Sequence, residues 1–199
     1  MKLSNLILIS IAAMAIFYIQ LWNPTIVTPL YLILLGAGIV YGHYKKDINM
    51  THISSFIFIL TALSPVIFET GLIDYMTPAE NKLLQGTMIY GIQLLISLAI
   101  VIVLIFRVQL SRKLSNSPNI QLTHFDGVFH WLYMYTSFIY LLALLENIAW
   151  SYFEMKSWTF IYDNFEGLIY IAWALCCGAL LTMMILSARE GGTQASRAS

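Results

Sequence analysis

Residues Leu83–Phe106 read LLQGTMIYGIQLLISLAIVIVLIF, 24 residues without one Asp, Glu, Lys or Arg. A helix crosses the hydrocarbon core of a bilayer with about 17–25 mostly apolar residues, so this stretch is long enough to span alone. An open strand could not cross, because its ladder groups would stay unpaired in lipid. The run is also too long and too continuously apolar for a barrel strand. A membrane helix is the reading that remains.

Five further apolar runs lie around it: Leu6–Trp22, Ile26–Tyr41, Ile53–Phe68, Val128–Leu145 and Leu168–Ala188. Thr25 and Tyr44 can extend the second run into the interface. The third carries Ser54, Ser55, Ser64 and Pro65, and the proline, lacking a backbone N–H, should kink it. The composition agrees: 59% of the 199 residues are hydrophobic and 10% are charged, where soluble domains carry about 25% charged residues. The expected fold is an all-α integral membrane protein, a compact bundle of six transmembrane helices with short loops. One domain should cover residues 1–188, with a disordered polar tail or expression remnant at 189–199. Lys2 and the small residues Ala13 and Ala15 imitate a cleavable leader, whose removal would leave five helices. The apolar run continues through Leu21 without a polar break, so a retained anchor is expected.

Ten basic residues balance ten acidic ones, which leaves no net field to attract nucleic acid. Their placement is uneven. Lys2, Lys45, Lys46, Arg107, Arg112, Lys113, Arg189 and Arg197 fall on one side of a six-span topology, and only Lys82 and Lys156 on the other. The acids run opposite: Glu69, Asp74, Glu80, Glu146, Glu154, Asp163 and Glu166 lie away from the basic side, while Asp47, Asp126 and Glu190 lie on it. Cytoplasmic loops are the basic ones, so the chain is expected in the plasma (inner) membrane with both termini cytoplasmic.

The stretch LTHFDGVFHWLYMY, Leu122–Tyr135, holds the first candidate site. At about 100° per residue, Asp126, His130, Tyr133, Ser137 and Leu144 share a helix face. That face should point into the bundle, since ionisable groups seldom face lipid. His124 lies just outside, and His43 and His52 fall on the same side. His43, His124, Asp126 and His130 would be the metal ligands: N and O donors suit zinc, and His43 with His130 could hold haem. No H-E-x-x-H or other established zinc spacing occurs. Asp126 is equally a helix cap or first-turn acid, and water still reaches one turn inside the interface. The expectation is a metal-free polar pair with no cofactor. Asp126→Asn should then be mild, because an amide can still cap the helix.

The second candidate is an acidic external vestibule formed by Glu69, Glu146 and Glu166, with Gln20 at similar depth. Such a ring would attract cations; its carboxylates would otherwise only face water. Gln93 is the clearest mid-depth amide. Asp126 and Glu146, twenty residues apart, stand roughly 30 Å apart along a helix and about 200° around it. No proton relay joins them. The aromatic-rich external segment Asn147–Phe165 reads as an interfacial anchor or as a lid. Gly38-x-x-x-Gly42 and Ala174-x-x-x-Gly178-x-x-x-Thr182 permit close helix approach, within the bundle or at a homodimer seam. Adjacent Cys176 and Cys177 form no redox or metal motif.

Three function classes follow. The first is a small multi-pass inner-membrane protein in envelope permeability or transport of small solutes, cationic ones included. The second is a non-catalytic accessory subunit of a larger membrane complex. The third is an intramembrane metal- or haem-dependent enzyme. The first two rank ahead, so a non-enzyme is expected, with the lipid bilayer and an unidentified small molecule as partners. No nucleotide-binding loop or nucleophile elbow is present.

Overall fold

Side-chain caps cut the apolar runs into helices. The computed structural model describes residues 3–22, 26–71 and 81–198, with side chains at 4–5, 7–16, 26–71 and 81–189. Among them all regular structure is helical: α1 Leu3–Trp22, α2 Val27–Lys45, α3 Ile48–Glu69, α4 Lys82–Ile105, α5 Arg107–Leu114, α6 His124–Tyr152 and α7 Phe160–Ala198. α2, α3, α4, α6 and α7 are long and apolar enough to cross a membrane; the described apolar stretch of α1 is the shorter Ile7–Ile16.

Several helices exceed their apolar runs, each for a local reason. α3 begins five residues before Ile53, because the Asp47 carboxylate accepts the Met50 N–H at 3.1 Å. Lys46, in a left-handed conformation, ends α2 just before it. α6 begins at a reciprocal capping box between Thr123 and Asp126. At the other end α7 starts well before Leu168, because Glu146 reaches across from α6. Its two carboxylate oxygens accept the N–H groups of Ile161 at 2.8 Å and Tyr162 at 3.1 Å. Most of the aromatic segment is therefore helix, with a turn at 153–159. α7 also continues through residues 189–198, where a polar tail is expected from composition.

The helices form a ring. α2 packs on α3, α3 on α4, α4 on α6, α6 on α7, and α7 back on α2, while α1 lies outside along α7. Small residues set two close approaches. A Cβ at Gly42 would stand 2.6 Å from Thr51 Oγ1 and 2.9 Å from the Thr51 backbone nitrogen. One at Gly178 would stand 2.8 Å from the Ile9 carbonyl oxygen of α1. Both small-residue motifs thus serve packing within the chain. Exposed Ile33, Ile59, Leu95, Ile102, Phe138 and Ile171 cover the outside of the ring, the arrangement expected of a surface that meets lipid tails.

Candidate functional site

Where α4 ends, the chain breaks at Phe106 and restarts as α5 with Arg107, whose side chain is 0% exposed. Arg107 makes four hydrogen bonds: Nε to Asp126 Oδ1 at 2.6 Å, Nη2 to Asp126 Oδ2, Nη2 to the Gln121 carbonyl at 2.6 Å and Nη1 to Asn49 Oδ1 at 2.8 Å. Asn49 Oδ1 also accepts the Gln121 N–H at 3.1 Å, and its Nδ2 donates to the Asn119 carbonyl at 3.0 Å. Asp126 Oδ2 further accepts from the backbone and hydroxyl of Thr123 at 2.6 and 2.8 Å. One planar cation therefore ties together the start of α3, the α4–α5 break, the 115–123 loop and the start of α6. Breaking such a buried pair on one side costs about 3–5 kcal/mol, because the remaining charge is stranded.

Above this knot the ring is filled by Leu35, Met50, Ile53, Leu104, Phe129 and Leu180. A hydroxyl layer follows. The Tyr133 hydroxyl meets the Tyr31 hydroxyl at 2.8 Å and Thr61 Oγ1 at 3.3 Å. Ser97 Oγ lies 2.8 Å from both Thr136 Oγ1 and Ser137 Oγ, and all three hydroxyls donate to the Tyr133 carbonyl or lie within reach of it. Tyr31 is held by stacking on Trp173, with ring centroids 5.4 Å apart.

Beyond the hydroxyl layer the axis is open. A cavity of about 760 Å³ is lined from all five ring helices: Thr28 and Leu32 of α2, Thr61 to Glu69 of α3, Ile89 to Ile100 of α4, Tyr133 to Tyr140 of α6, and Trp173 of α7. Pro65 lies in its wall. Lacking an N–H, Pro65 cannot bond the Thr61 carbonyl four residues back, so an acceptor in the wall loses its helical donor. Gln93 also lines the cavity, and its buried amide oxygen has no hydrogen-bond partner. Glu69, exposed at the end of α3, marks the rim. Among the described residues the shape is a cup: it runs from Glu69 to a floor of hydroxyls, with apolar packing and the Arg107 knot below.

A smaller cavity of about 450 Å³ lies at the same end, between the start of α4, the end of α6 and the α6–α7 turn. Lys82 and Glu146 both line it. The Lys82 ammonium stands 5.8 Å from the centre of the Trp150 ring, and Asn147 donates to the Leu83 carbonyl at 3.3 Å.

The expected site residues separate accordingly. Asp126 is buried and faces inward on α6, but its partner is Arg107, not His130. His43 and His124 are exposed, and His130 is half-buried with Nε2 unpartnered. Among the described residues no three His, Cys, Asp or Glu side chains gather as a metal site. A metal at Asp126 would also stand against the Arg107 guanidinium. Of the vestibule residues, Glu69 lines the large cavity, Glu146 lines the small one and caps α7, and exposed Glu166 lines neither. Gln20 lies in α1, and its side chain is outside the described residues, as are Asp74 and Glu80.

Arg107 is the residue that sequence reasoning placed among loop cations. Two signals marked it. It follows Leu83–Phe106 directly, with no polar spacer to carry it into water. Asp126 is also an acid on the basic side, where acids are few. The other described exception, Asp47, likewise has a bonded role as the α3 cap. Comparison with known protein families, curated protein sequences and solved structures finds no match to this chain.

Proposed function

We propose that the chain is a single bundle of six membrane-spanning helices in the plasma (inner) membrane, with cytoplasmic termini, that binds a small solute in an outward-facing cup and serves its transport or the permeability of the envelope. The observation that carries this reading is the cavity of about 760 Å³, lined from five helices, with Tyr133 and Ser97 of the hydroxyl layer in its lining. Its size lies within the roughly 300–1,000 Å³ of small-molecule sites. Its polar lining sits at mid-helix, where a side chain facing lipid would be costly. The uneven basic residues support the orientation, with the Arg107 end inside and the Glu69 end outside.

The accessory-subunit reading would rest on exposed aromatics such as Phe153, Trp158 and Tyr162, which headgroups accommodate equally well. The metalloenzyme reading would need Asp126, whose oxygens already accept from Arg107 and Thr123. The cup is what ranks solute handling first.

Cysteine labelling tests the orientation and the cup together. Cys176 and Cys177 are both 1% exposed, so the native background is quiet. A water-soluble maleimide applied to intact cells should label Ser64→Cys in the cup wall. Arg112→Cys, on the exposed face of α5, should label only after the membrane is opened. Labelling of Arg112→Cys in intact cells, with Ser64→Cys silent, would overturn the outward-facing reading.

A further inference from the structure

We infer that the cup takes an amphipathic amine, with its ammonium at Glu69, an apolar body along the wall and a neutral hydrogen-bonding end at Gln93. This rests on the solute-cup reading and names its ligand class. Among the described residues that line the cavity, Glu69 is the one carboxylate and none is Lys, Arg or His. An anion would meet a like charge with no counter-charge, whereas a cation is complemented. The smaller cavity differs, since Lys82 and Glu146 both face it and favour neither sign.

Size and depth refine the class. A bare inorganic cation would leave most of about 760 Å³ unfilled. Between rim and floor the wall is largely apolar, with Leu32, Phe68, Ile89, Ile96 and Trp173. That suits a hydrocarbon or ring system. The floor offers an ammonium poor terms: its hydroxyls are neutral, and most are bonded to one another or to the Tyr133 carbonyl. An ion carried there would lose its water and gain no counter-charge. The charge therefore stays at the exposed rim, where water still solvates it. At depth the unpartnered amide oxygen of Gln93 calls for a neutral hydrogen-bond donor.

The test uses the full chain in nanodiscs of zwitterionic lipid, with binding read by titration calorimetry against empty nanodiscs. Three matched probes separate charge: 4-(4-aminobutyl)phenol, 4-(4-hydroxybutyl)phenol and 4-(4-hydroxyphenyl)butanoate. A fourth, 4-phenylbutylamine, lacks the phenol. The amine should bind about fivefold tighter than the alcohol, the scale of one solvent-exposed ion pair, and the carboxylate weakest. Glu69→Gln should erase that preference, and Thr70→Lys, adding a cation beside the rim, should erase it independently. Gln93→Leu should remove the advantage of the phenol over 4-phenylbutylamine and leave the charge preference in place. Equal binding of the three charge probes to the wild type would overturn the amine class while sparing the cup. A preference that survives Glu69→Gln would overturn the rim assignment. Absence of binding by every probe would overturn both the amine class and the solute-cup reading.

Discussion

The two ends of the bundle use the same helices and treat charge in opposite ways. At the Arg107 end a guanidinium and a carboxylate are buried together; the guanidinium donates to Asn49, Gln121 and Asp126, and the carboxylate also accepts from Thr123. At the Glu69 end the carboxylate is exposed, a mid-helix amide oxygen is unpartnered, and a cavity of about 760 Å³ is present. A buried ion pair joins elements only when further hydrogen bonds satisfy the charged groups it buries. A cavity keeps binding potential only when some polar atoms are not. One end thus holds the helices in register, and the other is where we propose that a solute binds.

The largest expected effect lies in the sealed end. Asp126→Asn should destabilise the protein by about 3–5 kcal/mol, because the amide still caps α6 but leaves Arg107 buried without a counter-charge. This reverses the mild effect expected from the capping role alone. Denaturant unfolding in micelles measures it. Arg107→Met combined with Asp126→Leu should recover much of the loss, since removing both charges strands neither. A wild-type midpoint for Asp126→Asn would break the contrast between the two ends.

Next comes the α2–α3 seam. Gly42→Leu should cost about 1–3 kcal/mol, the usual range for overpacking, because the added Cβ meets the Thr51 backbone, which cannot swing aside. Gly91→Ala is the control: nothing lies within 4 Å of its added Cβ, so its midpoint should not fall. Matching losses at both positions would mean that close approach does not decide, since both substitutions raise helix propensity.

Ser97→Ala in the hydroxyl layer should be smaller, about 0.6 kcal/mol and below roughly 1.7, the span measured for hydrogen bonds between membrane helices. Thr136 and Ser137 keep their own bonds to the Tyr133 carbonyl, at 3.0 and 2.8 Å, so little is stranded. A loss as large as that of Asp126→Asn would make the floor, too, part of the lock.

Glu69→Gln should move stability least, within about 0.5 kcal/mol, as for other exposed positions. Its effect should appear in ligand binding instead. Unfolding and calorimetry on the same preparation check both. A large loss of stability would show that the rim carboxylate is structural.

The sequence by itself determined that the chain is helical, that it is built from long apolar segments, and where those segments lie. Helix formation satisfies backbone groups locally, and the length of an apolar run is a one-dimensional property. It also determined the inward face of Asp126, because helical periodicity sets which residues share a side. Caps that reach from another element were not legible: Glu146 starts α7 from fifteen and sixteen residues away, and local rules see only the adjacent turn. The partner of Asp126 lies nineteen residues back, and Asn49 lies 58 residues from Arg107. Only the closing of the helices into a ring decided that these groups meet. The same closure sent Glu69, Glu146 and Glu166 to different places, though the sequence sets them at one depth. Depth follows from position along a span; azimuth around the bundle follows from which helices touch, and that is a property of the packed whole.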